Sequence, residues 1–167
     1  MRLWLRPFAA SAAALLTGVI SLGAASAQTA YSSSGWRVEC SPAAAGKSMD
    51  CQAVAQVTAR QTGQVFVSVT VRVPAATKKP VLLIQIPLGM LVSGGVNLTI
   101  GSGTAQPYAI QTCTVSGCFI GGEVSPAMLR ELLASQQLKV TFQNLDKQTV
   151  TATIPLAGFE PAYKKIQ

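Results

Sequence analysis

Histidine is absent from this chain of 167 residues. With it goes the one side chain whose ordinary pKa lies near neutrality, and so the usual general base. Ser-His-Asp and Cys-His arrangements cannot be assembled, and a mixed Cys-His zinc site lacks half of its ligand types. Carboxylates are scarce: Asp and Glu number 6, namely Glu39, Asp50, Glu123, Glu131, Asp146 and Glu160. A carboxylate-dependent hydrolase needs two of them facing each other across a cleft. Only Glu123 and Glu131 are close in sequence, and Glu131 falls on a helical pattern that turns it to solvent. Solvated surface charge is the simpler reading of all six. A hydrolase built on Glu123 or Asp50 remains the third choice of function.

Other absences narrow the field further. The glycines of "SGGVNLTIGSG" lack the Gly-Lys-Ser/Thr ending of a phosphate loop. Bases outnumber acids, with 13 Lys and Arg and a formal net charge of +7, yet they form no run and no aromatics interleave them. Nucleic acid is therefore not an expected partner. The charge allows weak peripheral attraction to anionic surfaces, with Lys78 and Lys79 the one adjacent pair outside the C-terminal segment. Aromatics make up only 6%. Trp36 and Tyr108 could line a sugar or peptide groove, although core packing is the commoner use of such rings. Beyond residue 27 no apolar run approaches the roughly 20 residues that cross a bilayer, so an integral membrane protein is not expected.

What is present begins with "MRLWLRPFAASAAALLTGVISLGAASA". Arg2 and Arg6 form a basic start, an uncharged apolar run follows, and Ala25-Ser26-Ala27 supplies the small residues that a signal peptidase reads. Residues 1–27 thus read as a signal peptide cleaved after Ala27. A retained anchor is the alternative, and the sharp change to polar "QTAYSSSG" argues against it. Residues 28–167 are then one exported domain. That length is enough for a hydrophobic core.

All four cysteines follow the leader: Cys40, Cys51, Cys113 and Cys118. An even number in an exported chain implies disulfides. Cys113 and Cys118 have metal-like spacing, but Cys40 and Cys51 do not, and no histidine completes a site. A redox pair would sit as Cys-x-x-Cys at a helix start, whereas here strand-like sequence flanks "CTVSGC". A brace across a hairpin fits better. Thr114 to Gly117 would form the loop, with Gly117 free to take positive φ. The favoured pairing is local, Cys40–Cys51 and Cys113–Cys118; the crossed pairings stay open, because spacing does not fix connectivity. No metal or other cofactor is expected.

Along the rest of the chain, period-two patterns dominate. Residues Gln28 to Ser34 read as a loose polar lead. "GWRVEC", "CQAVAQVTARQ", "VFVSVTVRV", "VLLIQIPLG", a segment near Val96 to Ile100, "PYAIQTC", "CFIGGEV", "LKVTFQN" and "TVTATIP" read as strands. In "VFVSVTVRV" Val65, Val67, Val69, Val71 and Val73 share one face. "VLLIQI" is apolar almost throughout and so belongs at the centre of a sheet. Asn97-Leu98-Thr99 matches a glycosylation acceptor, but strand is the plainer reading. "SPAMLRELLASQQ" reads as a helix, with Ser125 as N-cap and Pro126 in the first turn. A second short helix closes the chain. Eight or nine strands with one or two short helices, and turns every eight to twelve residues, predict a mainly β fold, an antiparallel β-sandwich. A closed barrel is the alternative.

The order of "GWRVEC", Cys51, "IQIPLGMLVSGGVNL", "CTVSGC" and "VTATIPLAGFEPAYKKI" resembles the invasion-associated locus B proteins of bacteria. The resemblance runs from Trp36 to Ile166. It implies a small exported β-rich protein with structural disulfides, and it carries no catalytic residues. The family name comes from a member linked to entry into host red cells, while many relatives belong to bacteria that invade nothing. The expectation is therefore a non-enzymatic periplasmic protein that binds an envelope component or a protein partner. It would use an exposed sheet edge or an apolar patch flanked by cations. The second expectation is an outer-membrane surface or secreted factor that contacts host cells.

Overall fold

The computed structural model describes residues 31–42 and 49–167. The leader with its cleavage point, and the middle of the loop between Cys40 and Cys51, lie outside the described residues. Among the described residues there are eleven strands: β1 Tyr31–Ser33, β2 Arg37–Pro42, β3 Met49–Ala59, β4 Val65–Arg72, β5 Val81–Ile86, β6 Val96–Ile100, β7 Gln106–Tyr108, β8 Thr112–Thr114, β9 Gly117–Glu123, β10 Gln137–Gln143 and β11 Thr149–Pro155. Two helices, α1 Pro126–Ala134 and α2 Phe159–Lys164, complete the set.

The strands form two antiparallel sheets. One runs β1-β3-β4-β5-β9-β8, with β2 beside the other half of β3; the second runs β11-β10-β6-β7. The architecture is a β-sandwich. Its interior follows from alternation: Ala53, Ala55 and Val57 of β3 face Val71, Val69 and Val67 of β4, and all six are buried. Leu82, Ile84 and Ile86 of β5 and Ile120 of β9 continue that layer. Val96, Leu98 and Ile100 of β6, Leu138, Val140 and Phe142 of β10, and Ile154 of β11 face it from the second sheet. β-branched side chains pack well on such pleated surfaces, and their burial drives the two sheets together.

The two helices pack their apolar residues into the core and contact each other. Ser125 caps α1 as its hydroxyl accepts the Met128 N–H at 3.1 Å, and Met128 and Leu132 are buried. Gly158, at φ 86, starts α2, which buries Phe159, Ala162 and Tyr163. β5 is central, between β4 and β9, but it is half-buried rather than enclosed: Leu83 points outward and is 44% exposed.

Four sequence expectations need correction. The polar lead is not loose from Tyr31 onward. β1 pairs with Val57 to Ala59, the Ser32 and Thr58 hydroxyls lie 3.1 Å apart, and the Tyr31 ring stacks on Phe66 at 4.3 Å. The valine stripe of β4 breaks at its start. A bulge pairs Thr58 with Val65 and skips Phe66, so Val65 is 45% exposed while Phe66 turns toward Phe142 at 5.8 Å. A bulge adds one residue and so inverts the facing pattern. "PYAIQTC" is not one strand: β7 ends in one sheet and β8 begins in the other, with Ala109 to Gln111 crossing between them. This division, together with β1, raises the strand count above the expected eight or nine. Finally, the loop between the second cysteine pair is tighter than expected, since Thr114 pairs with Gly117 and leaves only Val115 and Ser116 to turn.

Candidate functional site

Each cysteine pair closes a local hairpin. Cys40 and Cys51 are directly opposed in the β2–β3 register, with Cα atoms 4.1 Å apart, and are bonded. Cys113 and Cys118 are opposed in the β8–β9 register at 3.9 Å and are also bonded. Antiparallel pairing places the two cysteines of each hairpin directly opposite one another. Gly117 permits the second turn: its φ is 139°, and a Cβ there would meet the Ile86 carbonyl oxygen at 2.5 Å. Cys40 and Cys113 are exposed, Cys51 is half-buried and Cys118 is buried. The two bonds brace opposite sides of the larger sheet.

The other sequence-selected residues are not gathered into one site. Trp36 donates its indole N–H to the Pro155 carbonyl at 2.8 Å and packs its ring on Phe159 at 4.7 Å. It therefore ties the larger sheet to β11 and α2, which occupies its polar atom. Tyr108 lies on β7, at the opposite edge of the smaller sheet, with its hydroxyl 3.9 Å from the Met128 sulfur. Lys79 pairs with Glu123 at 3.1 Å on the surface. Lys78 takes φ 55° in the turn between β4 and β5, where its N–H donates to the Pro74 carbonyl at 2.9 Å. It borders an open recess of about 330 Å³ shared with Met49, Asp50, Cys51, Val73 and Lys165. Apart from the two bonded cysteine pairs, Lys78 and Cys51 border one recess.

All six carboxylates are exposed. Three are held by cations: Glu39 by Arg37 at 2.6 Å, Glu123 by Lys79, and Glu160 by Lys164 at 2.7 Å. Hydrogen bonds from Arg37 and then Gln52 hold the Glu39 carboxyl below its ordinary value, and Lys164 does the same for Glu160. A proton donor at neutral pH needs the opposite shift.

A feature the sequence did not announce lies on the outer side of the smaller sheet. There Asn97, Thr141, Gln143 and Thr149 line a recess of about 200 Å³ together with Gly94, Gly95 and Phe142. These residues come from three strands far apart in sequence. Only the β6-β10-β11 register brings them together.

The profile of the family described as "Invasion associated locus B (IalB) protein" matches residues 36–167. The chain belongs to the IalB family. The match takes in Trp36, both disulfides and both helices. A solved structure described as "Crystal structure of invasion associated protein b from bartonella henselae" is similar, with a TM-score of 0.68 and 23% sequence identity. It covers 78% of this chain and 89% of that one. At that identity the likeness speaks for a common IalB fold. No curated protein sequence matches the chain. No helix among the described residues is long and apolar enough to cross a membrane.

Proposed function

We propose that this IalB-family chain is an exported, non-enzymatic binding module of the cell envelope. Residues 28–167 work in the periplasm after cleavage behind Ala27. The observation that carries the reading is the pair of disulfides closing exposed hairpins. Such bonds form and persist where thiols are oxidised, and they restrain the hairpins they close. Exposed, cation-paired carboxylates and a chain without histidine support binding rather than proton-transfer chemistry. Lys78, on the rim of an open recess beside the first disulfide, is the cation best placed to meet an anionic envelope component or a protein partner.

Fractionation with alkylation tests the reading. The mature protein should leave cells with the periplasmic fraction and take up no alkylating agent until it is reduced. Four reactive thiols in freshly isolated protein, or retention in the cytoplasm, would overturn it. A second reading places the chain on the outer surface, in contact with host cells. It is favoured only by the words "invasion associated" in the description of the Bartonella henselae structure. Protease treatment of intact cells separates the two: a periplasmic protein is spared and a surface one is digested.

A further inference from the structure

We infer that one end of the sandwich docks on an anionic phospholipid bilayer by inserting apolar side chains from three neighbouring turns. Strand register sets which turns share that end. β9 begins where β5 ends, since Ile86 opposes Cys118, and β6 and β11 begin where β10 ends, since Phe142 opposes Val96 and Val150. The turn at 115–116, the segment 87–95 and the turn at 144–148 therefore lie together. Contacts tie them to one another: the Gln85 carboxamide donates to the Ser116 carbonyl, the Leu91 N–H donates to the Gln143 carbonyl at 2.8 Å, and Met90 forms a bridge with Asn144. Turns ordinarily carry Gly, Pro, Asn, Asp or Ser. Here Val115 is fully exposed, and Leu88, Val92 and Leu145 are each more than half exposed. Val65 at the start of β4 and Tyr31, opposite Ala59, extend the apolar surface at the same end. Six of the nine exposed large apolar side chains among the described residues thus stand at one end of the fold.

Charge and shape select a bilayer as the occupant. Of the six carboxylates, Asp146 alone stands at this end; Glu39, Asp50, Glu123, Glu131 and Glu160 lie on β2, β3, the end of β9, α1 and α2. Arg60, just after β3, and Lys147, beside Leu145, are exposed cations that flank the apolar tips. Cations so placed are drawn to anionic headgroups while the apolar side chains enter the acyl boundary. The tips rise from separate turns, and none of them lines either recess described above. A protein partner would seat anchors in pockets of matching shape. A fluid bilayer needs no pocket and moulds itself to protruding groups. The Cys113–Cys118 bond has a role in this arrangement, since it holds Val115 at the head of a two-residue turn. The Lys78 recess lies at the opposite end, in the turn between β4 and β5, and faces away from the membrane. The inference adds a membrane contact to the reading above, leaves that recess free for its own partner, and rests on that reading only for access to an envelope membrane.

The test uses the processed, oxidised chain with vesicles of mixed phosphatidylglycerol and phosphatidylcholine, read by co-sedimentation. The unaltered chain should sediment with the vesicles. Val115→Asp with Leu145→Asp should lower the partition coefficient about tenfold or more, by loss of two inserted side chains. Both positions are exposed, so the urea midpoint should stay in place and separate lost binding from lost fold. Leu83→Asp with Leu133→Asp, an equal change of charge away from this end, should keep the binding. Leu145→Trp supplies a reporter. Its emission should move to shorter wavelength on vesicles and be quenched by brominated lipid, whereas Trp36, the one tryptophan of the processed chain, is bonded to Pro155 at the other end and should not respond. Absence of co-sedimentation, binding that survives Val115→Asp with Leu145→Asp, or an unshifted emission from Leu145→Trp would overturn the inference. So would self-association that the same aspartate pair abolishes without any vesicle binding, since a second copy would then cover this end. The assay uses purified protein and does not engage the Lys78 recess, so it fails or succeeds independently of cellular location and of any partner bound there.

Discussion

Removing the Cys40–Cys51 bridge gives the most direct measure of how far sulfur holds this fold. The bond spans a sequence separation of 11 and the second bond one of 5. In the chain-entropy treatment, closing loops of these lengths stabilises the folded state by about 2.8 and about 2 kcal/mol. The second figure understates its bond, because Cys118 is also a core residue, 3% exposed and opposite Ile86 in the β5–β9 register. Truncation there should add roughly 1 kcal/mol of lost packing. Each pair replaced by alanine should thus cost about 3 kcal/mol. The two sites lie on opposite sides of the larger sheet, so the costs should add. Together they approach half or more of the ~5–15 kcal/mol that keeps an ordinary domain folded.

Urea unfolding of Cys40→Ala/Cys51→Ala, of Cys113→Ala/Cys118→Ala and of the fourfold variant reads these values from the midpoints. The bonds also differ in exposure. Cys40 is exposed, so a mild reductant should open the first bond in the folded protein, while the second, with Cys118 buried, should persist until unfolding. A cost below about 1 kcal/mol for the first pair would refute the entropy argument. It would mean that the β2–β3 ladder already restrains the hairpin in the unfolded ensemble.

Four further outcomes follow from single contacts or groups. Trp36→Phe keeps the ring against Phe159 but loses the bond to the Pro155 carbonyl, and should cost about 1 kcal/mol in the same urea assay. Gly95→Ala should cost at least about 2 kcal/mol, since φ is 61° there and the new Cβ would lie 2.7 Å from the Tyr108 carbonyl oxygen; Ser125→Ala, which removes only a helix cap, should cost about 1 kcal/mol. Thermal midpoints should be flat between pH 5.5 and 8, because no histidine titrates there. Below the ordinary Glu value of 4.5 they should fall: Glu39 and Glu160 are depressed in the fold, so their contribution is present above that value and lost as pH drops through their lowered ones. A midpoint that moves by several degrees across the flat window would contradict this assignment.

The β10–β11 hairpin was readable from alternation alone. β10 and β11 each bury every second residue, and the hairpin between them turns on Asn144 to Gln148 as the polar "LDKQ" suggests. Helix α1 was legible from its cap and spacing. What failed was decided by contacts distant in sequence. The β4 stripe of five valines is locally perfect, yet a bulge opposite Thr58 turns Val65 outward. Nothing local to "VFVSV" records it, because the reason is the Phe66 ring meeting Tyr31 and Phe142. Tyr31–Ser33 was missed for a related reason. Three polar or half-polar residues form a strand only because β3 offers an unpaired edge.

The same distinction governs the surface. Disulfide bonds join residues close in sequence here, and the local pairing favoured from the sequence is the one formed. A recess on a sheet face is different, since Asn97, Thr141, Gln143 and Thr149 become neighbours only through strand register. In the sequence each is one unremarkable outward residue of an alternating pattern, and Asn97 drew notice only for an acceptor motif it shares with Thr99. What could have marked the face is the sign of the charge pattern. From Gln137 to Pro155 the outward positions of two adjacent strands carry a single lysine, whereas the outward positions of β2, β4 and β9 carry Arg37, Glu39, Arg72 and Glu123. A solvated face needs no such neutrality, because charged side chains cost little there and favour solubility.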